Sequence, residues 1–228
     1  MTISQPLPDT ANPTVGDTVL QQIRSDIIRG VLQPGQRLRL ARLRQAYGAS
    51  ITTLREMLSR LVSERYVIAE GQRGFEVAPV SVSELRELAD MRILLESRAL
   101  RRSIAQGSLA WEAGVVSAHH MLHSVETRLI GGDGTPVEKW VEYDWSFHHA
   151  TIAACDMPAL MDTHRNIFER YLRYHMLTLE FRGDVARREH DRMAELVVAR
   201  QADAAVDLLT RHIHAGRDYV IASGKIPG

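Results

Sequence analysis

Residues 41–64 read ARLRQAYGASITTLREMLSRLVSE. Two short segments of helical periodicity, about Ala41 to Tyr47 and about Ile51 to Glu64, are separated only by Gly48-Ala49-Ser50. Leu54, Met57, Leu58 and Leu61 follow the three-and-four spacing of one buried helix face. Ser50 stands where a hydroxyl can cap the free N–H groups of the second segment. Two helices joined by so short a turn make a helix-turn-helix, whose second helix presents its N-terminal turns to a DNA major groove.

The flanks extend this pattern. From Thr14 to Arg29 the apolar residues Val15, Val19, Leu20, Ile23, Ile27 and Ile28 recur at helical spacing, and Gly30 and Pro34-Gly35 end that helix in a turn. Arg37-Leu38-Arg39-Leu40 alternates. Downstream, Tyr66–Ala69 and Phe75–Ala78 are strand-like and flank Gly71-Gln72-Arg73-Gly74, a hairpin signal. Helix, helix, tight turn, helix and a two-stranded wing give a winged helix-turn-helix over residues 14–80. Residues 1–13 hold three prolines and no periodicity and are expected to form a flexible tail.

After residue 80 the strand signals nearly vanish. Ser81 and Glu84 have the spacing of a capping box. Helices are expected over about 83–106, 109–129, 135–155, 158–181, 184–200 and 203–223, the third starting at Thr135-Pro136-Val137-Glu138 with Thr135 as N-cap. The fold class is therefore mainly α: a winged helix-turn-helix, then an all-helical bundle of six or seven helices over residues 81–228.

The chain has 228 residues, 45% apolar and 25% charged, which fits a globular protein and excludes bulk disorder. A single cysteine, Cys155, rules out an intrachain disulfide and suits a reducing cytoplasm. No apolar run approaches the ~20 residues of a membrane span, and the first residues lack the pattern of a secretory signal. The net charge of zero conceals a division. Val15 to Val80 carries ten arginines, no lysine and six acids, a balance of +4, whereas Ser81 to Gly228 carries −3. All ten histidines lie beyond residue 118. An arginine-rich first third points to a polyanion, here double-stranded DNA. Thr52 and Thr53 suit phosphate, Arg55 suits guanine or phosphate, Arg42 and Arg44 suit the backbone, and Arg73 at the wing tip suits the minor groove.

Asp144 and His148 are four apart on one expected helix and so share a face. His190 and His212 lie on later helices that a bundle can turn inward. Three imidazoles and a carboxylate suit Zn, Ni, Mn or Fe. The same Asp/His spacing also suits a helix salt bridge, and a lone histidine is more often structural, so spacing alone leaves both readings open. His149 and His214 point away from their neighbours on a helical wheel. His119, His120, His123, His164 and His175 show no partner in the sequence.

Gly30-Val31-Leu32-Gln33-Pro34-Gly35, Tyr47-Gly48-Ala49-Ser50, Thr53-Leu54-Arg55-Glu56-Met57-Leu58 and Arg73-Gly74-Phe75-Glu76-Val77 resemble the N-terminal domain of the GntR family of bacterial transcription regulators. The helical remainder resembles the ligand-sensing (FCD) domain of its FadR branch. The resemblance implies a homodimeric regulator, often a repressor, controlled by a small metabolite. It implies Asp144, His148, His190 and His212 as ligands of a divalent metal, zinc first. It implies an organic-acid effector beside that metal, met by Arg92, with Arg170 and Arg173 as further candidates. The chain departs from the family pattern at Ile51, Thr53 and Met157, where arginine, proline and asparagine are common. Two other classes compete. One is a metal-dependent enzyme built on the same three histidines and aspartate, which leaves the winged helix without a role. The other is a winged-helix scaffold for a protein partner, which the +4 balance opposes.

Overall fold

A computed structural model describes residues 14–71, 74–179 and 181–227. The expected tail and Arg73 lie outside these residues. The described residues form nine helices and three short strands: α1 (Val15–Ile28), β1 (Arg37–Leu38), α2 (Leu40–Tyr47), α3 (Ile51–Ser63), β2 (Val67–Ala69), β3 (Phe75–Val77), α4 (Val82–Gln106), α5 (Leu109–Gly131), α6 (Val137–Ile152), α7 (Pro158–Thr178), α8 (Asp184–Val198) and α9 (Ala202–Ala222). One compact unit ends at Ala78 and a second starts at Pro79, with Ile28–Gly30 grouped with the second.

In the first unit α3 buries Leu54, Met57, Leu58 and Leu61, the face its periodicity marks. Ser50 caps it, accepting from Thr53 N at 3.1 Å. Gly48 ends α2 at φ 66°, a left-handed conformation costly for any residue with a Cβ, and this allows the tight turn. The expected hairpin is present, and β1 joins it. The sheet order is β1-β3-β2, all antiparallel, with Val67 opposite Val77 and Leu38 opposite Phe75. Arg24 forks onto Glu64, with Nε at 3.0 Å and Nη1 turned to Gln21, while Arg60 reaches Asp17 at 3.1 Å. Part of the arginine excess therefore holds α1 against α3.

The second unit is an all-helical bundle in which α4 packs on α7 and α9, α5 on α6 and α8, and α8 on α9. Three helix ends differ from the sequence expectation. Thr135 does not cap α6, because its N–H and hydroxyl both turn back to Asp133 Oδ1 (2.9 and 2.5 Å) and Pro136 takes the N-cap position. Helix α6 also ends at Ile152, short of Cys155, and Asp156 turns the chain with φ 51°. Helix α7 ends at Thr178, with Leu179 at φ 50° as its C-cap, and Phe181 packs instead on Trp140 with ring centroids 5.0 Å apart. Ser81 caps α4 through Glu84 N, but the reciprocal half of the capping box is missing. Tyr174 Oη accepts the Ser81 N–H at 3.2 Å and donates to Glu84 at 2.6 Å.

Candidate metal centre and nucleic-acid face

The bundle brings Asp144 and His148 of α6, His190 of α8 and His212 of α9 together, with one donor atom from each within 4.8 Å of the others. Helical spacing accounts for the first two. The α8 and α9 residues arrive because both helices bury the apolar faces on which His190 and His212 lie. His190 Nε2 is 3.3 Å from both Asp144 Oδ1 and His212 Nε2.

The outer nitrogen of every imidazole meets a glutamate. His148 Nδ1 lies 3.5 Å from Glu96, His190 Nδ1 lies 2.7 Å from Glu126, and His212 Nδ1 lies 2.7 Å from Glu189. A carboxylate there favours the proton on Nδ1 and turns the Nε2 lone pair inward, although at His212 the Arg182 Nη2 also stands 3.0 Å from Nδ1. Three inward lone pairs and a carboxylate repel one another unless a cation or protons lie among them. His148 Nε2 is buried and has no hydrogen-bond partner among the described residues. These donors fit a divalent metal.

Electrostatics agree. Burial would raise the Asp144 carboxyl, but His148, His190 and His212 hold it well below the usual range. Burial pushes His212 down to about 3, against the bond from Glu189, so it is neutral and able to ligate. Burial also opposes charge on His190, but Asp144 and Glu126 outweigh it and raise it to about 9.

Beside the cluster, Arg92, Trp140, Asp144, Tyr171, His175, Arg182 and His212 line a small cavity of about 30 Å³. Arg92 is buried, lies 4.1 Å from the Phe168 ring centroid and 4.5 Å from that of Tyr171, and gives Nε and Nη2 to Glu96 at 2.6 and 3.2 Å. Four residues apart on α4, Arg92 and Glu96 form an intrahelical pair, and Nη1 makes no hydrogen bond among the described residues. Glu96 also meets His164 at 3.1 Å. Arg170 and Arg173 are not brought to this cavity. Arg170 pairs with Glu84, and Arg173 is buried elsewhere on α7. Arg182 takes that place, held by Glu189 at 2.6 Å. The sequence showed no signal for Glu126 or Arg182, whose partners are 64 and 7 residues away. His149 packs on Trp145 and His214 lies 3.8 Å from Asp90, both outside the cluster.

On the first unit, Arg42, Arg44, Thr52 and Arg55 are exposed, and the three arginines pair with no acid among the described residues. Thr53 is half-buried, with its hydroxyl 2.9 Å from that of Ser50.

A winged helix followed by an all-helical bundle with an enclosed polar centre is the plan of a DNA-binding regulator with its own sensory domain. The profile described as "Bacterial regulatory proteins, gntR family" matches residues 16–77, and the FCD domain matches residues 87–215. The chain is 33% identical over 225 residues to the uncharacterized HTH-type transcriptional regulator BphR of Paraburkholderia xenovorans, covering 98% of this chain and 92% of that protein. It is 31% identical over 198 residues to the HTH-type transcriptional repressor GlaR of Escherichia coli K12, covering 84% and 89%. Among solved structures, E. coli McbR/YncC superposes with a TM-score of 0.76 at 19% identity, over 92% of this chain and 99% of that one. A GntR regulator from Rhodococcus sp. RHA1 gives 0.74 at 21%, over 91% and 97%. The chain belongs to the GntR family of bacterial regulatory proteins and carries an FCD domain. It is a transcription regulator and not an enzyme. No described helix is long and apolar enough to cross a membrane.

Proposed function

We propose that the protein is a homodimeric repressor of the FadR branch. Residues 14–80 bind operator DNA, and residues 81–228 bind a divalent metal, a small organic acid and the second protomer. Asp144, His148, His190 and His212 hold the metal, zinc first, with nickel, manganese or iron as alternatives. The observation that carries this reading is the shared orientation of the three imidazoles, each with Nδ1 on a glutamate and Nε2 facing the others. The bound metal would supply a positive centre for an acid's oxygen, and Arg92 Nη1 and Arg182 would meet its carboxylate through charge-assisted bonds. The cavity has room for about two waters, so an acid that enters must displace water and move lining side chains. Acid and operator binding are coupled, so each changes the other's affinity by the same factor.

The test is a thermal-melt screen of small carboxylic acids, with and without prior chelation. An acid that binds the folded state raises Tm, and chelation should abolish the shift. Shifts unchanged by chelation would detach the effector from the metal.

Two further results are expected. Arg55→Ala should weaken operator binding by about 1–3 kcal/mol, flatten the salt dependence and leave metal content unchanged. An unaltered salt slope and affinity in a binding titration would remove Arg55 from the interface. Metal affinity should also depend on pH. Below about 9 a cation must displace the His190 proton. Affinity should therefore rise by up to about tenfold per pH unit from neutrality towards that value. Calorimetry in buffers of different ionisation enthalpy would count the proton released, and zero release at neutral pH would contradict the assignment.

A further inference from the structure

We propose that His119, His123 and Asp191 form a second divalent-metal site, open to solvent and distinct from the buried cluster. His119 and His123 are four apart on α5 and project from one face. Asp191 comes from α8. His119 Nε2 and His123 Nδ1 lie 2.9 and 2.8 Å from the same carboxylate oxygen, Asp191 Oδ1. Two rings in different orientations thus aim a nitrogen at one point, from two helices. Such a convergence is held either by two imidazole N–H groups donating to one oxygen or by one cation shared among three donors.

The surroundings favour the cation. The three side chains are 22%, 40% and 29% exposed, so an ion can reach them and water can complete its coordination. They open onto a depression of about 750 Å³, in which His120 supplies a further imidazole. Arg187 approaches the other oxygen, Oδ2, at 3.5 Å and is engaged by Asp184, with Nε at 3.0 Å. Two imidazoles and one carboxylate select ions such as Zn²⁺, Ni²⁺ or Co²⁺ over Mg²⁺ or Ca²⁺. With three protein ligands, partly exposed, this site binds more weakly than the four-ligand centre inside. Occupying it would tie α5 to α8, the two helices that supply Glu126 and His190 to the buried cluster.

The test is titration of Zn²⁺ alone into untagged, chelator-stripped full-length protein. Wild type should take up about two ions per chain, one tightly and one weakly. His119→Ala/His123→Ala should lose the weak event and keep the tight one. His148→Ala/His212→Ala should do the reverse. Asp191→Asn keeps an oxygen acceptor for the imidazoles but loses the charge, and should weaken the second event by at least about tenfold. The proposal is overturned if His119→Ala/His123→Ala binds the same number of ions with the same affinities, or if Asp191→Asn leaves the weak event unchanged. If instead only His148→Ala/His212→Ala has no effect, the buried centre fails and the exposed site stands. Positions 119, 123 and 191 are partly exposed, and an unchanged Tm without metal will show that the fold of those variants is intact.

Discussion

His190→Ala should purify without tightly held metal and with its winged helix still folded. His190 is the ligand closest to both Asp144 and His212, at 3.3 Å each, and its removal leaves three donors on two sides of the centre. Removing an outer carboxylate from a metal-bound imidazole costs about 10–100-fold in affinity, and losing the imidazole itself should cost more than about 100-fold. Its absence also affects the fold. Glu126 is fully buried, keeps the Trp140 N–H at 3.2 Å and would lose its 2.7 Å imidazole partner. Both contacts fall on Oε1, and Oε2 has no partner among the described residues, so the buried carboxylate would rest on the indole N–H alone. A lost hydrogen bond to a charged group costs about 1.5–3 kcal/mol, and stability without metal should fall by that amount. Elemental analysis after gel filtration reads the first effect and a denaturant titration the second. Full metal occupancy in His190→Ala would show that the ligand set is wrong. Glu126→Gln is the milder companion, with metal binding weakened by about 10–100-fold and the fold retained.

Arg92→Ala should be the most destabilising single change at the cavity and should also abolish the response to carboxylic acids. Arg92 and Glu96 are a buried pair, 4% and 1% exposed. Deleting one partner of such a pair costs about 3–5 kcal/mol. In a bundle of this size that lowers Tm by roughly 6–20 °C. His164 and His148 remain beside Glu96 and set the loss towards the lower end. The double change Arg92→Met/Glu96→Leu separates the two effects. Replacing both charges with apolar groups leaves no carboxylate unpaired, but it also takes the partner from the buried His164 Nε2 and His148 Nδ1. Only part of the stability should therefore return, while the acid-induced melt shift stays absent. If Arg92→Ala still shows the shift, the acid is held elsewhere and Arg182 becomes the leading candidate.

The recognition helix and the wing were legible because both are local patterns. Leu54, Met57, Leu58 and Leu61 share one helix, and Ser50 is adjacent to the helix it caps. Asp144 and His148 were legible in the same way. His190 and His212 were assigned by resemblance, because no local rule links positions 22 residues apart. The glutamates that orient the imidazoles were not legible, since Glu126 meets His190 only through the packing of α5 on α8. The misplaced ends of α6 and α7 have a common origin. A competing local or tertiary bond captured the expected capping or helical residue: Asp133 took Thr135, and Trp140 took Phe181. The pairing of His119 and His123 with Asp191 was likewise invisible before the helices were assembled.

Glu84 and Glu96 of α4 peg that helix to α7 at separate heights. Glu84 takes Arg170 and Tyr174, and Glu96 takes His164. Twelve residues of helix separate the pegs, a span of about 18 Å. Bodies pinned at two points can neither slide nor roll against each other without breaking a partly or fully buried charged contact. Helices α4 and α7 therefore make a fixed chassis for the cavity, and a rearrangement driven by a ligand would fall on the other helices around it, α6, α8 and α9, which carry Asp144, His148, His190 and His212.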